Sequence, residues 1–295
     1  MSVRVPTTAD AEALAALMNA RSQALHGTAD FATETLVSWF QAPDIEMLVA
    51  EGPAGLEAYA DLYAGSDEWA WLDPREHPGH AGAVAPLLER FEARAAELGR
   101  TGMRAFVPEQ DGTTRGLVEA RGYQPIRFQF RMLVEHEKEP PPPEFPPGLE
   151  PTTFRAGDER AVHATQMDAF ADHWGFTFEP FDAWRTWNLE RDTARPDLWW
   201  LVRDGDELAA VCLNRMGDSG ESDHGYVHIL GVRPDWRRRG LGEALLRHSF
   251  REFWQRGVST VSLDVDGENT TGAIRLYERV GMHVDRRTDL YELRL

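Results

Sequence analysis

Cysteine and lysine are almost missing from this chain. Among its 295 residues, Cys212 is the single cysteine and Lys138 the single lysine. One cysteine cannot form a disulfide within the chain and falls short of a cysteine-based metal site. The ten histidines show no metal-ligating spacing such as His-Glu-x-x-His. We therefore expect neither an internal disulfide nor a bound metal.

Long apolar runs are also missing. No segment approaches the ~20 consecutive apolar residues of a membrane span, and Met1–Asp10 lacks the basic and apolar regions of a signal peptide. The 31 basic and 49 acidic residues give a formal net charge of −18. This excess argues against a nucleic-acid partner and favours neutral or cationic ones. We expect a cytoplasmic protein that binds neither nucleic acid nor membrane; the oligomeric state stays open.

The chain has enough residues and apolar side chains for two domains. Apolar residues make up 42% of it, and 295 residues suffice for two domains of roughly 150. Residues 136–148 read HEKEPPPPEFPPG, and consecutive prolines favour an extended, semi-rigid linker. The composition therefore predicts an N-terminal domain over 1–135 and a C-terminal domain over 149–295.

Two pairs of similar segments indicate an internal repeat. In each half a helix-like pattern stops at a glycine, Gly122 or Gly281, and a strand pattern follows. Their offset is 281 − 122 = 159 residues. Upstream, a Leu-Leu pair follows Gly82 and another follows Gly240, at an offset of 158. We interpret the halves as two diverged copies of one fold.

The C-terminal half alternates helix and strand patterns and contains a hairpin around Asp204-Gly205-Asp206. This order predicts an α+β fold with a mixed sheet. The predicted strands are 150–155, 198–203, 208–216, 226–232, 260–265, 282–286 and 289–295, and the predicted helices are 158–171, 181–190, 241–256 and 272–279.

The most informative segment, 227–246, joins a buried strand to an amphipathic helix. It contains Arg237–Arg239 followed by Gly240 and Gly242. Free amides at a helix start, close backbone approach at glycine and arginine charge together suit a pyrophosphate. A dinucleotide fingerprint would need a third glycine where Leu245 stands, and a P-loop would need Gly-Lys-Ser/Thr. A basic surface turn without a ligand is the remaining alternative.

This segment resembles the GCN5-related N-acetyltransferase (GNAT) family, whose pattern is Arg or Gln, two residues, Gly, any residue, then Gly or Ala. Arg237, Gly240 and Gly242 match it. The resemblance implies that the turn holds the pyrophosphate of acetyl-CoA as co-substrate. It also implies that the preceding strand pairs with the pantetheine arm. The implied cofactor-binding residues are Leu230, Val232, Arg237, Arg238, Arg239, Gly240, Leu241, Gly242, Glu243 and Asn269.

A second family segment is an Asn, a helix with a Tyr, and a Gly. Asn269, Tyr277 and Gly281 match it, with one residue more than usual between Asn269 and Tyr277. The resemblance covers about 150–295. Gly231, inside the strand, is a local sign of a bulge or close backbone approach, which fits strands that splay to admit a cofactor.

The N-terminal half departs from the family pattern. Gly82 keeps the first glycine, but Gly79 stands in place of the arginine, Val84 in place of the second glycine and Val118 in place of the tyrosine. Phosphate binding there should be weak or absent. The resemblance thus implies two tandem GNAT-like domains, each a mixed twisted sheet flanked by helices, with a degenerate first copy. This arrangement resembles the mycothiol synthase group of the family.

Acetyl transfer to an amine needs a base, an oxyanion donor and an acid for the thiolate. Many family members carry a glutamate base at the position of Tyr226, so the simplest base is missing. His228, two residues on, faces the same side by strand alternation and is our candidate base, with a packed core histidine as the alternative. Tyr277 resembles the family's general acid, with ordinary core packing as the alternative. The Leu230 amide is the family-type oxyanion donor.

Other residues carry weaker signals. The segment Asp172-His173-Trp174 lies where this fold shapes the acceptor site, although a plain surface loop is as reasonable. Asp264 and Asp266 either attract a cationic amine or are simply solvated. Four tryptophans, Trp184, Trp187, Trp199 and Trp200, line an acceptor pocket or form core.

The sequence therefore predicts an acyl-CoA-dependent N-acyltransferase with a catalytic C-terminal domain. The expected reaction moves an acetyl group from acetyl-CoA to a primary amine of a small molecule. Two alternatives remain open, mycothiol synthase proper and a non-catalytic sensor that binds acyl-CoA.

Overall fold

A computed structural model describes residues 1–29, 31–40, 45–64, 68–190, 194–216, 224–269 and 271–295. The chain forms two compact units. The first unit comprises Met1–Gln129 together with Arg286–Leu295, and the second comprises Phe130–Asp285.

The first half of the chain alternates strands with amphipathic helices. The third helix, for example, turns Leu87, Leu88 and Phe91 into the core of the first unit. The elements are β1 Ser2–Arg4, α1 Ala11–His26, α2 Thr33–Trp39, β2 Ile45–Gly52, β3 Gly55–Tyr63, β4 Trp69–Glu76, α3 Ala85–Glu97, β5 Gly102–Pro108, α4 Gly112–Ala120 and β6 Gln124–Glu135.

The second half follows the predicted order closely, with shifts of a few residues at element ends. One long final strand replaces the two strands predicted over 282–286 and 289–295. The elements are β7 Pro151–Thr153, α5 Glu159–Phe170, α6 Phe181–Asn188, β8 Trp199–Asp204, β9 Glu207–Met216, β10 His224–Val232, α7 Leu241–Gln255, β11 Thr260–Asp266, α8 Ala273–Arg279 and β12 His283–Arg294.

Each unit contains a mixed sheet flanked by helices, so the predicted α+β class is confirmed. In the first unit the strand order is β1-β2-β3-β4-β5 followed by the end of β12; β4 and β5 are parallel. In the second unit the order is the end of β6, then β11-β10-β9-β8-β7, and β10 and β11 are parallel. The parallel pair therefore recurs at the same place in both copies.

The units do not follow the predicted bounds of 1–135 and 149–295. The residues of β12 from Arg286 onward belong to the first unit, where Thr288–Arg294 pairs antiparallel with Gly102–Pro108 of β5. Likewise, β6 from Phe130 onward belongs to the second unit. Each sheet is thus completed by a strand from the other half of the sequence.

The proline-rich segment 136–148 contains no helix or strand, as its composition predicts. It belongs to the second unit, however, and packs on α7 rather than spanning between units. Arg251 donates to the carbonyl of Pro140 at 2.7 Å, and the ring of Phe145 lies 6.2 Å from that of His248. The segment is therefore a strap on the second unit.

None of the helices that the structure describes combines the length and apolarity needed to cross a membrane. Within the described ranges, no three histidine, cysteine or carboxylate side chains are grouped to hold a metal ion.

Candidate active site

The parallel strands β10 and β11 separate at their carboxyl ends. Their pairing runs from His224 opposite Thr260 to Tyr226 opposite Ser262, although both strands continue, to Val232 and Asp266. The predicted splay of the strands is therefore present. It leaves one edge of β10 from Val227 onward available for an extended ligand to add as a further strand.

The sequence indicated a bulge or a close backbone approach at Gly231, and the structure has the close approach: a Cβ there would lie 3.1 Å from the Cβ of Ala169 in α5. The β-bulge of β10 lies at His228, because the register with β9 shifts between Val227 and Ile229, whereas Gly231 pairs regularly with Val211. Close packing of a helix on the strand explains the glycine, and the bulge re-aims the histidine.

His228 is half-buried, and its ring lies 6.2 Å from the ring of Tyr226. Desolvation, reinforced by the nearby Arg215 charge, lowers the pKa of His228 well below its usual 6.5. The imidazole is therefore neutral at pH 7, as a proton acceptor must be.

Asp264, which the sequence offered as a site for a cationic amine, is already paired with protein groups. Asp264 accepts a hydrogen bond from the Tyr226 hydroxyl at 2.9 Å and forms an ion pair with Arg131 at 3.0 Å. Because Asp264 is neutralised by Arg131, it is a poor candidate for attracting a cationic amine. The predicted alternative for Trp184, Trp199 and Trp200 is confirmed, because all three are buried core residues.

The turn before α7 has the form of an anion cradle. Arg238 and Gly240 both have left-handed backbones, with φ of 62° and 86°. From Arg238 to Glu243 the backbone N–H groups have no hydrogen-bond partner among the described residues. Such a row of free amides at a helix start, with its dipole, suits a pyrophosphate.

The three arginines of the turn differ in their surroundings. The Arg237 guanidinium is occupied by protein acceptors: both oxygens of Asp172, at 2.5 and 2.9 Å, and the carbonyls of Ala169 and Val232. Arg239 donates to a carbonyl within the turn. The exposed Arg238 side chain has no hydrogen bond or ion pair among described residues, so it is the arginine free to meet a phosphate.

Gly242 packs against α8, the helix that carries Tyr277. A Cβ at Gly242 would lie 3.1 Å from Cδ2 of Leu276 in α8 and 4.0 Å from Cγ2 of Val232. The glycine therefore allows the start of α7 to approach both the end of β10 and the helix that carries Tyr277. A larger residue would push the Leu276 side chain aside and fill space in the cradle.

Tyr277 is buried in the core of the second unit, with 8% of its surface exposed. Burial raises the pKa of its phenol, with a further contribution from Cys212, so the hydroxyl keeps its proton. This hydroxyl has no hydrogen-bond partner among the described residues. The absence of a local partner favours the predicted donor over an ordinary core tyrosine, whose hydroxyl would be bonded.

Asn269 organises the loop before α8. Its side-chain oxygen accepts hydrogen bonds from the amide of Thr271 at 2.8 Å and from the hydroxyl of the same residue. This is an Asx-type turn.

The loop after α5 is held beside the turn by Arg237. Its His173 is half-buried and packs on the ring of Phe170, with centroids 4.6 Å apart. Burial lowers the pKa of His173, while the Asp172 charge raises it. The sequence singled out Asp172 and His173 but gave no signal for the Asp172–Arg237 ion pair, which joins residues 65 apart.

The first unit fills its own counterpart of the cradle. Glu76, the last residue of β4, is buried, and its carboxylate accepts a hydrogen bond from the amide of Val84 at 3.3 Å. Desolvation raises the pKa of this carboxyl. In the second unit, the last residue of the corresponding strand β10 is Val232, whose side chain is uncharged. Sequence reasoning missed Glu76, because an acidic residue at a strand end is usually solvated.

Comparison with known proteins supports this architecture. Residues 160–282 match the sequence model of the acetyltransferase (GNAT) family. Mycothiol acetyltransferase of Thermobispora bispora is 30% identical, over 95% of this chain and 96% of its own length. Mycothiol acetyltransferase of Nocardiopsis dassonvillei is 33% identical, over 69% of this chain and 66% of its own.

Solved structures extend the likeness to the whole fold. A GCN5-related N-acetyltransferase from Sphaerobacter thermophilus is 29% identical and superposes with a TM-score of 0.83, covering 99% of this chain and 95% of that one. A tandem GNAT protein from the clavulanic acid biosynthesis pathway is 16% identical, with a TM-score of 0.77 and coverage of 99% and 98%. The second likeness concerns the fold alone.

Proposed function

Because this chain belongs to the GNAT acetyltransferase family and is an N-acetyltransferase, we propose that its second unit transfers acetyl from acetyl-CoA to a primary amine of a small molecule. The observation that carries the assignment to this unit is the contrast between the two cradles. The amides from Arg238 to Glu243 have no partner among the described residues, whereas in the first unit the buried carboxylate of Glu76 accepts a hydrogen bond from the amide of Val84, the residue in place of Gly242. A pyrophosphate and a buried carboxylate compete for the same donors.

In this proposal the pantetheine arm lies in the gap between β10 and β11, with the thioester near the bulge. The free edge of β10 supplies main-chain hydrogen bonds, as an added strand would receive. The amide of Leu230 donates to the oxyanion that forms as the amine attacks. The nitrogen–carbon bond forms first, and the carbon–sulfur bond then breaks.

His228 is the proposed base. An alkyl ammonium has a pKa near 10.4, so at pH 7 roughly one amine in 2500 is free to attack. A neutral imidazole that accepts the ammonium proton, directly or through water, relieves this limit. The depressed pKa of His228 keeps the ring neutral but also makes it a weaker base, so a water relay between amine and ring fits it well.

Tyr277 is the proposed acid. Its phenol is protonated at any physiological pH and has no hydrogen-bond partner among the residues that the structure describes, so it can donate to the departing thiolate. The thiolate of coenzyme A has a pKa near 8.5 and leaves fairly easily, so this contribution is smaller than that of the base.

The proteins named mycothiol acetyltransferase that resemble this chain favour a specific acceptor. Their name supports a mycothiol precursor, the cysteinyl amino-sugar whose cysteine amine would be acetylated. A panel of amines that includes this precursor, assayed by the coenzyme A thiol released from acetyl-CoA, tests acceptor and chemistry together. Coenzyme A release that no amine stimulates would contradict transfer to an amine.

A matched pair of variants tests the proposed donor site. Val232→Glu should install in the second unit the carboxylate that Glu76 provides in the first, since the Val232 side chain already lies beside Gly242. We expect acetyl-CoA affinity to fall at least about 100-fold in Val232→Glu and about 10-fold or less in the neutral isostere Val232→Gln. Equal affinities in the two variants, with unchanged melting temperatures, would overturn the assignment of the cradle.

A further inference from the structure

The first unit contains a cavity of about 550 Å³ beside the strands β3, β4 and β5. Trp71 and Phe106 form one wall, with ring centroids 5.4 Å apart and planes within 19°. Two carboxylates, Asp61 and Asp73, also line it. An aromatic wall beside carboxylates is the chemistry that binds organic cations.

The two carboxylates share one arginine of the cavity lining, Arg75. Asp61 and Asp73 are directly opposite each other in the β3–β4 pairing, an arrangement that is unfavourable for like charges. Arg75 is the only cation among the described residues that line the cavity, and it pairs with Asp73 at 2.5 Å. Two more arginines lie next to the lining: Arg104 over the Trp71 ring at 5.2 Å, and Arg21, whose charge acts on Asp73. Among the described residues, Asp61 accepts a hydrogen bond only from the Tyr59 hydroxyl, at 2.9 Å.

Asp61 is strongly affected by its surroundings. Burial and the neighbouring Asp73 charge raise the pKa of Asp61 to about 7, against the opposing effects of Arg75 and the Tyr59 hydroxyl. A positive ligand would therefore stabilise the charged form of this carboxylate.

The position of the cavity matches that of the proposed acceptor site in the second unit. The parallel pairs begin at Trp69–Gly102 in the first unit and at His224–Thr260 in the second. Asp73 lies four residues after Trp69, where β4 begins, and His228 lies four residues after His224, where β10 begins. The first copy has therefore kept a pocket on the acceptor side, while Glu76 fills its donor side.

We propose that this cavity binds a small organic cation, a primary or quaternary ammonium, between the carboxylate of Asp61 and the aromatic wall. The site performs no chemistry and needs no acetyl-CoA. It is therefore independent of the transfer reaction assigned to the second unit, and either proposal can fail alone.

Tetramethylammonium is a suitable probe, with the neutral tert-butanol as its control of similar shape. The full chain is labelled with 5-fluorotryptophan, and the Trp71 fluorine signal is assigned by its loss in Trp71→Phe. We expect a saturable shift of this signal with tetramethylammonium, at a Kd of roughly 1–10 mM, and no saturable shift with tert-butanol.

Variants locate the interaction. Asp61→Asn should weaken binding at least about 10-fold without lowering the melting temperature, because it removes one of two opposed carboxylates. Glu97→Gln, which removes an exposed charge at the end of α3, should change nothing. Trp71→Leu, followed by calorimetry, should also weaken binding. No saturable binding, equal binding of tert-butanol, or an unchanged Kd in Asp61→Asn would each overturn the proposal.

Discussion

Both oxygens of Asp172 accept hydrogen bonds from the guanidinium of Arg237, at 2.5 and 2.9 Å. The remaining donors of Arg237 reach the carbonyls of Ala169 and Val232. The arginine that fits the family pattern thus ties the loop after α5 to the end of β10. Its hydrogen bonds to Asp172 lower the pKa of that carboxyl.

Substitution of the arginines should separate this positioning role from phosphate binding. In Arg237→Gln the loop that carries His173 loses its anchor, so KM for the amine should rise more than the Kd of acetyl-CoA. Asp172→Asn should have the same effect, and the two should couple by about 0.5–1 kcal/mol in a double-mutant cycle of unfolding.

Arg238→Gln is the matched control, because the Arg238 guanidinium is paired with no described residue. It should weaken acetyl-CoA about 5- to 10-fold and reduce the salt dependence of binding. If Arg237→Gln weakened acetyl-CoA tenfold while Asp172→Asn did not, Arg237 would be a phosphate ligand instead. Calorimetric titrations at two salt concentrations make this distinction.

Tyr277→Phe should lower kcat by about 10- to 100-fold while leaving the Kd of acetyl-CoA nearly unchanged. The hydroxyl is proposed to donate only as the carbon–sulfur bond breaks, and it loses no hydrogen bond to any described residue. The ring remains in the core, so the melting temperature should barely change. A weaker Kd at unchanged kcat would make Tyr277 a cofactor-packing residue, and a lower melting temperature alone would make it a core residue.

The pH dependence of kcat/KM reports on His228. An ordinary histidine would give an acidic limb near pH 6.5, but burial, reinforced by the Arg215 charge, lowers the pKa of this ring. The limb assigned to His228 should therefore lie below pH 6.5. His228→Ala should remove it and reduce the rate about 100-fold. A limb that persists in the variant would assign the proton transfer to another group or to water.

The same shift predicts a stability effect with a defined sign. The unfolded chain binds a proton at His228 near pH 6.5, whereas the folded chain binds it only at lower pH, so acid favours unfolding. The free energy of unfolding should fall as pH drops below 6.5, and it should fall less in His228→Gln. Denaturant titrations at pH 7.5 and 5.5 compare the two proteins, and parallel losses would show that the ring is solvated.

The elements predicted well are those with local signals. The helix after Gly240 and the helix that ends before Gly281 depend on glycine and apolar spacing, and both are present. The exchange of the final strands was not predicted, because the pairing of Arg294 with Gly102 joins residues 192 apart. Gly231 indicated a bulge or a close backbone approach; the close approach is present, while the register with β9 places the bulge at His228, which carries no local sign. Glu76 was missed because its partner is a backbone amide, which leaves no mark in the sequence.

The central claim is that one acetyl-CoA binds per chain, at the turn before α7. Calorimetric titration of acetyl-CoA into the full chain measures this directly. We predict a stoichiometry of one for the natural sequence and an affinity at least about 100-fold lower for Val232→Glu. Two equal sites, or one site that survives Val232→Glu at full affinity, would contradict the claim.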